Sequence, residues 1–250
     1  MRIPKILHYC WISEHIPEDI SRYIQSWKHF MSDYQIIKWD LSNFDISKSD
    51  WVREALERKK YAFAADYIRF YAVYNYGGIY LDSDVEVLKS FDDLLDLSYF
   101  LGTEKPLISP LYPEVAIFGA EPKCAWVKDL LDYYEVKKFI RNNNKLSTTP
   151  LPSIVHDILE KKYGLKKIQN KNEFDNRCEK IQLFPDDYFS PKNGDTKKIL
   201  ITENTYCIHH FANAWVTPFM FFKARIARII GRKNYDKIKK LLKLGRSEKL

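Results

Sequence analysis

Asp82 and Asp84 stand two residues apart at the end of Tyr76-Gly77-Gly78-Ile79-Tyr80-Leu81-Asp82-Ser83-Asp84. In an extended strand, residues two apart share a face, so the two carboxylates can converge on one point. Paired carboxylate oxygens suit a hard divalent cation such as Mn²⁺ or Mg²⁺. Such cations are commonly completed by phosphate oxygens of the substrate. The chemistry implied is a metal-assisted reaction on a phosphorylated substrate. Asp-x-Asp alone is common in turns and helix caps, so the weight comes from what precedes it. Tyr61 to Tyr76 is apolar at nearly every position and lacks Gly and Pro, the pattern of a buried helix. Asp66 and Arg69 are its only ionised residues, and their i,i+3 spacing puts them on one face. They form either a buried ion pair that only holds the helix in place or a polar face beside the metal.

The elements that must position these groups follow from periodicity. Ile3 to Ile12 reads as a strand, Pro17 to Phe30 as a helix with Ile20, Ile24 and Trp27 in register, and Tyr34 to Trp39 as a second strand. Asp50 to Lys60 is helical with Asp50 as its N-cap. Tyr61 to Tyr76 is the buried helix, ended by Gly77-Gly78, and Ile79 to Leu88 is the strand bearing the aspartates. A short turn at Phe91 to Leu95 precedes strands at Tyr99 to Gly102 and Val115 to Phe118. Helices follow at Pro122 to Ile140 and Ser153 to Tyr163, then strands at Ile181 to Phe184 and Thr205 to Phe211. Asn142 to Pro152 reads as a loop. Strands alternating with helices predict an α/β fold with a mostly parallel sheet flanked by helices.

Ala64-Ala65-Asp66-Tyr67-Ile68-Arg69, taken with Tyr76 to Asp84, closely resembles the Asp-x-Asp sugar-binding region of glycosyltransferase family 32. That family includes bacterial capsule and lipopolysaccharide sugar transferases and yeast mannosyltransferases, with clostridial toxin glucosyltransferase domains as more distant relatives. Ile3 to Trp11 resembles the family's first strand, and His209-His210-Phe211-Ala212-Asn213-Ala214-Trp215 its C-terminal segment. The resemblance spans about residues 1 to 215. It implies a GT-A-type fold and a hexose transfer from a UDP- or GDP-sugar to a saccharide or lipid-linked acceptor, with retention at the anomeric carbon. It implies a role for Asp84 on the metal, for Asp82 on the metal, the ribose or sugar hydroxyls, for Arg69 on the sugar or diphosphate, for Asp66 on sugar hydroxyls, and for Trp11 against the nucleotide base. Of two adjacent histidines, which face opposite ways, the resemblance favours His210 as a metal or pyrophosphate ligand. Asn213 and Trp215 are expected at the diphosphate. Where the family often carries Asn-x-Gly on the strand before its Gly-Ala, this chain has Pro113 to Ala120, with Glu114 at that place. That departure leaves the acceptor contacts of the strand open, and Glu114 itself reads either as a carboxylate in the site or as a solvated loop charge.

At 250 residues, with 46% hydrophobic and 15% aromatic content, the chain fits one globular domain with an appendage. Cys10, Cys124, Cys178 and Cys207 form no C-x-x-C pair and read as reduced, buried thiols. No signal peptide is evident and no apolar run is long enough for a membrane span. The charge is lopsided. Lys223 to Leu250 has eleven basic residues against Asp236 and Glu248, a net of +9, which leaves −2 for residues 1–222 out of the chain's +7. The catalytic domain is therefore drawn as 1–222 and the tail as 223–250. Basic and apolar residues interleave along the tail at helical spacing, as in an interfacial segment on an anionic membrane; the alternative is a helix packed on the body. The expected location is cytoplasmic, peripheral on the inner membrane face. No nucleic-acid motif accompanies the charge. Two other classes fit the residues: a metal-dependent phosphoesterase and a non-catalytic sugar- or membrane-binding protein.

Overall fold

The computed structural model describes residues 2–104, 112–193 and 196–211. The predicted boundary at 222 and the basic tail lie outside them, as do Asn213 and Trp215. Among the described residues there are nine strands: β1 (Ile6–Cys10), β2 (Gln35–Trp39), β3 (Gly78–Leu81), β4 (Val85–Val87), β5 (Tyr99–Thr103), β6 (Pro113–Ala120), β7 (Leu165–Lys167), β8 (Ile181–Leu183) and β9 (Cys207–His209). Six helices accompany them: α1 (Glu18–Phe30), α2 (Asp50–Glu57), α3 (Tyr61–Tyr76), α4 (Ala125–Glu135), α5 (Leu151–Lys162) and α6 (Asp186–Phe189).

The central sheet runs β2-β1-β3-β6-β5. β1 pairs in parallel with β2 and β3, while β6 is antiparallel to both β3 and β5. Four of the five strands thus point the same way, and the α/β class with a mostly parallel, helix-flanked sheet is as expected. Side chains alternate across it: Tyr80 and Phe118 join the core under α2, α3, α4 and α5, whereas Ile79, Leu81 and Ile117 join the core under α1.

α3 is buried along most of its length, as its apolar sequence requires. Gly77 ends it at φ +64° and Gly78 follows at φ +102°. A Cβ on Gly78 would lie 2.4 Å from the Ile6 carbonyl oxygen, so this close approach of β3 to β1 needs glycine.

Four local expectations are corrected. The strand predicted over Ile79 to Leu88 is two strands, β3 and β4, with Asp82 and Asp84 on the turn between them; Val85 N–H donates to the Asp82 carbonyl at 3.0 Å. The N-cap of α2 is Ser49, whose hydroxyl accepts Val52 N–H at 3.3 Å, with Asp50 inside the first turn. α4 begins at Ala125 rather than Pro122, because Lys123 takes a left-handed φ of +62°, and it ends at Glu135. Of the four free cysteines only Cys207 is fully buried. Among the described residues no helix is long and apolar enough to cross a membrane.

Candidate active site

The parallel strands β1 and β3 end side by side, and ligands of open α/β sheets bind outside such carboxyl ends. Trp11 follows β1, with its N–H donating to the Trp39 carbonyl at 3.0 Å and its indole Nε1 to the His15 carbonyl at 3.2 Å. Its ring is half-buried. Asp82 follows β3, anchored by its N–H on the Ala116 carbonyl of β6 at 2.8 Å.

α3 runs antiparallel to β3, so its N-terminal half reaches this same edge. There Arg69, 5% exposed, lies 3.3 Å from both Asp66 and Asp82. It also donates to the Val115 carbonyl at 2.8 Å and lies over the Tyr80 ring. Tyr80 donates its hydroxyl to Asp82 Oδ1 at 3.0 Å. The predicted pair is therefore not self-contained: its arginine ties the helix to the Asp-x-Asp turn. Burial raises the Asp66 carboxyl to about 7, against the pull of Arg69, and also raises that of Asp82.

The third donor comes from far along the chain. β9 pairs antiparallel with β4, Val85 opposite His209, and this brings the His209 ring to the turn. One donor atom each from Asp82, Asp84 and His209 lies within 4.8 Å of the others. His209 Nε2 is 3.6 Å from Asp84 Oδ1, and Nδ1 is 3.2 Å from Glu114 Oε2. Glu114, 3% exposed, also accepts Ala116 N–H at 3.0 Å. An ionised Glu114 holds Nδ1–H and turns Nε2 to the aspartates, the arrangement that carboxylates commonly impose on metal-binding histidines, where the ion would displace the Nε2 proton. Burial opposes a charge on His209, but Glu114, followed by Asp84 and Asp82, outweighs it and lifts the ring to about 9. Glu104 lies close enough for the Glu114 charge, added to burial, to push its carboxyl up.

The His210 ring lies on another flank of the turn, and His209 is the histidine grouped with Asp82 and Asp84. His210 N–H donates to the Asp84 carbonyl at 3.0 Å, but its ring stacks on Tyr23 at 4.4 Å and meets Glu86 at 2.8 Å. Lys192, absent from the sequence reading, donates to the His210 carbonyl at 2.8 Å and adds a cation to this flank. Glu114 is a buried site carboxylate rather than a solvated loop charge. The signal for it was present in Pro113 to Ala120, whose other residues are all uncharged.

The donor set fits a divalent ion. Ligand atoms around one ion at about 2.1–2.3 Å stand at most about 4.6 Å apart, so a shift of tenths of an ångström closes the group.

The site is thus an Asp-x-Asp turn whose donor atoms fit a cation, coupled to a buried Asp–Arg pair at the carboxyl edge of an α/β sheet. Residues 17–101, about a third of the chain, match the family described as "Glycosyltransferase sugar-binding region containing DXD motif", which bears out the resemblance read from the motif. The chain is similar to the mannosyl phosphorylinositol ceramide synthase SUR1 of Saccharomyces cerevisiae, 34% identical over 42% of this chain and 28% of that protein. Inositol phosphoceramide mannosyltransferase 1 of Schizosaccharomyces pombe is 29% identical over 49% of this chain and 40% of that protein. The matched stretches thus span well under half of either relative. Among solved structures, the PaToxG glycosyltransferase matches 64% of this chain and 69% of that chain at a TM-score of 0.46 and 17% identity.

Proposed function

We propose that the protein is a metal-dependent glycosyltransferase that moves a hexose from a nucleoside-diphosphate sugar to a hydroxyl of a saccharide or lipid-linked acceptor, with retention. The observation that carries this reading is the convergence of Asp82, Asp84 and His209 at the strand edge beside the Asp66–Arg69 pair. Asp84 and His209 Nε2 would hold the ion, with Asp82, restrained by Arg69 and Tyr80, as a further ligand. When bound, the ion neutralises charge on the departing nucleoside diphosphate as a Lewis acid. Glu114 keeps the His209 ring in one orientation. Asp66 accepts a sugar hydroxyl, and Arg69 fixes the sugar against the turn. Trp11 stacks on the base at the end of β1. Lys192 neutralises diphosphate oxygens from the His210 flank, and Asn213 and Trp215, read from the sequence alone, are further candidates for the diphosphate.

The names of the two fungal relatives favour mannose as the hexose. Capsule, O-antigen or lipopolysaccharide chains are the proposed acceptor class, met at the inner membrane face where the +9 tail holds the enzyme. The test is a melting screen of UDP- and GDP-hexoses with and without Mn²⁺, followed by transfer assays on the hits. At least one nucleotide sugar raises Tm only when Mn²⁺ is present and then yields a glycosylated product. Steady phosphate release from monoesters without transfer identifies a phosphoesterase instead. Absence of any nucleotide-sugar binding in Mn²⁺ identifies a non-catalytic protein.

A further inference from the structure

A second site lies apart from the aspartates, in a cleft of about 590 Å³ between α4, the segment after it and α5. Its floor is Trp51, 2% exposed, whose indole donates to the Phe63 carbonyl at 2.6 Å. Trp51 packs edge-on against Tyr134 and Phe139, which close the cleft off from the interior. Lys137, Lys138 and Arg141 line it, and no carboxylate does.

Elsewhere on the molecule several basic side chains are matched by an acid. Lys5, Lys38, Arg53, Lys128, Lys162 and Lys171 each pair with a carboxylate. None of Lys137, Lys138 and Arg141 forms such a pair among the described residues. Asp50 lies near Lys138 but outside the lining, so the cleft itself presents three cations and no acid, a setting that favours an anion.

The cations are also held in place. Ile140 N–H donates to the carboxylate of Glu54, itself 8% exposed, at 2.8 Å. Ile140 bridges to Leu146, and between them Arg141 N–H donates to the Lys145 carbonyl at 2.9 Å, closing a hairpin. Arg141 Nε donates to Ser147 Oγ at 2.9 Å, which aims the rest of the guanidinium outward. Lys137 extends over the Tyr133 ring, itself a wall of the cleft. Asn142, Asn143 and Thr149 add neutral hydrogen-bonding groups.

We propose that this cleft is a binding site for a phosphate ester carried on a hydroxylated body. The guanidinium and ammonium groups take the phosphate oxygens, since charge-assisted hydrogen bonds to phosphate suit a planar Arg fork and Lys point charges. The amides and Thr149 hydroxyl take the hydroxyls of the body, and Tyr133 offers it a ring face. The volume exceeds what a bare phosphate fills and matches a small-ligand pocket. The site is distinct from the metal-fitting turn, and the proposal does not rest on the transferase reading.

The test is calorimetric titration of the full chain with two probes. One is a hexose 1-phosphate; the other is phosphatidylcholine vesicles with and without phosphatidylglycerol. The variants are Lys137→Gln/Arg141→Gln and, as a control, Asp84→Asn, all without added metal. Lys137 and Arg141 are exposed, so the double variant retains its Tm. The expected result is that hexose 1-phosphate binds the wild type and Asp84→Asn alike and binds the double variant roughly tenfold or more weakly. If only phosphatidylglycerol vesicles show that loss, the ester is a lipid headgroup, and the tail, common to all variants, does not contribute to the difference. The proposal is overturned if neither probe distinguishes the double variant from wild type, or if Asp84→Asn removes the binding.

Discussion

The two halves of the proposed active site are built by different means. One half is a single stretch of chain: α3, its glycine stop, β3 and the turn, carrying Asp66, Arg69, Asp82 and Asp84 within nineteen residues. The other is assembled from segments far apart in the sequence: Glu114 at the start of β6, and His209 on β9. In the first half, position follows from helix and strand periods, and Arg69 locks the elements together. In the second, position follows from the pairing of β9 with β4, and from a buried carboxylate that exists only because a histidine 95 residues away meets it. Burying Glu114 without that partner would be costly.

The first half should break hardest. Asp84→Asn keeps the turn, since amide and carboxylate are isosteric, but replaces a ligand charge with a neutral oxygen. Transfer should fall by at least about 10²–10³-fold, the loss typical of removing one electrostatic contributor, with Tm nearly unchanged. Near-normal turnover at saturating donor would remove Asp84 from the site.

Arg69 separates a structural pair from a functional one. Arg69→Ala strands Asp66 and Asp82 together and should cost about 3–5 kcal/mol in denaturant unfolding, as for a broken buried pair. Asp66→Ala should cost less, because Arg69 keeps Asp82. The double variant should recover little stability and no transfer. Recovery of both would mean that the pair only holds the helix.

The second half should bend rather than break. Glu114→Gln keeps the shape but removes the charge that fixes the His209 tautomer. Mn²⁺ affinity should drop about tenfold to hundredfold, as for other carboxylates behind metal-bound histidines, with the ring's Nδ1–H signal shifted in NMR spectra. Unaltered Mn²⁺ affinity would reduce Glu114 to a packing role.

The same contrast explains what was legible in the sequence. The α3 span, the glycine stop and the Asp66/Arg69 face were all readable, because each depends on neighbours within a few residues. The strand over Ile79 to Leu88 was not, because the period-2 pattern hides the turn that Asp-Ser-Asp favours and that β6 fixes from across the sheet. That the two histidines face opposite ways was readable; which one faces inward was not. The choice is made by β9's register against β4 and by Tyr23 and Glu86, which capture the His210 ring. Glu114 was singled out but not placed, since its neighbours in sequence say nothing of its partner. The start of α4 was misplaced because Lys123's left-handed backbone belongs to the turn around Pro122, which packs on Gly77.

The central claim is that His209, not His210, completes the site with Asp82 and Asp84. It is tested most directly by titrating Mn²⁺, followed by its EPR signal, into the wild type, His209→Ala and His210→Ala without nucleotide. The account predicts that His209→Ala weakens Mn²⁺ binding by at least about tenfold, while His210→Ala stays close to wild type because its ring is engaged by Tyr23 and Glu86. Loss of Mn²⁺ binding in His210→Ala with retention in His209→Ala would contradict it.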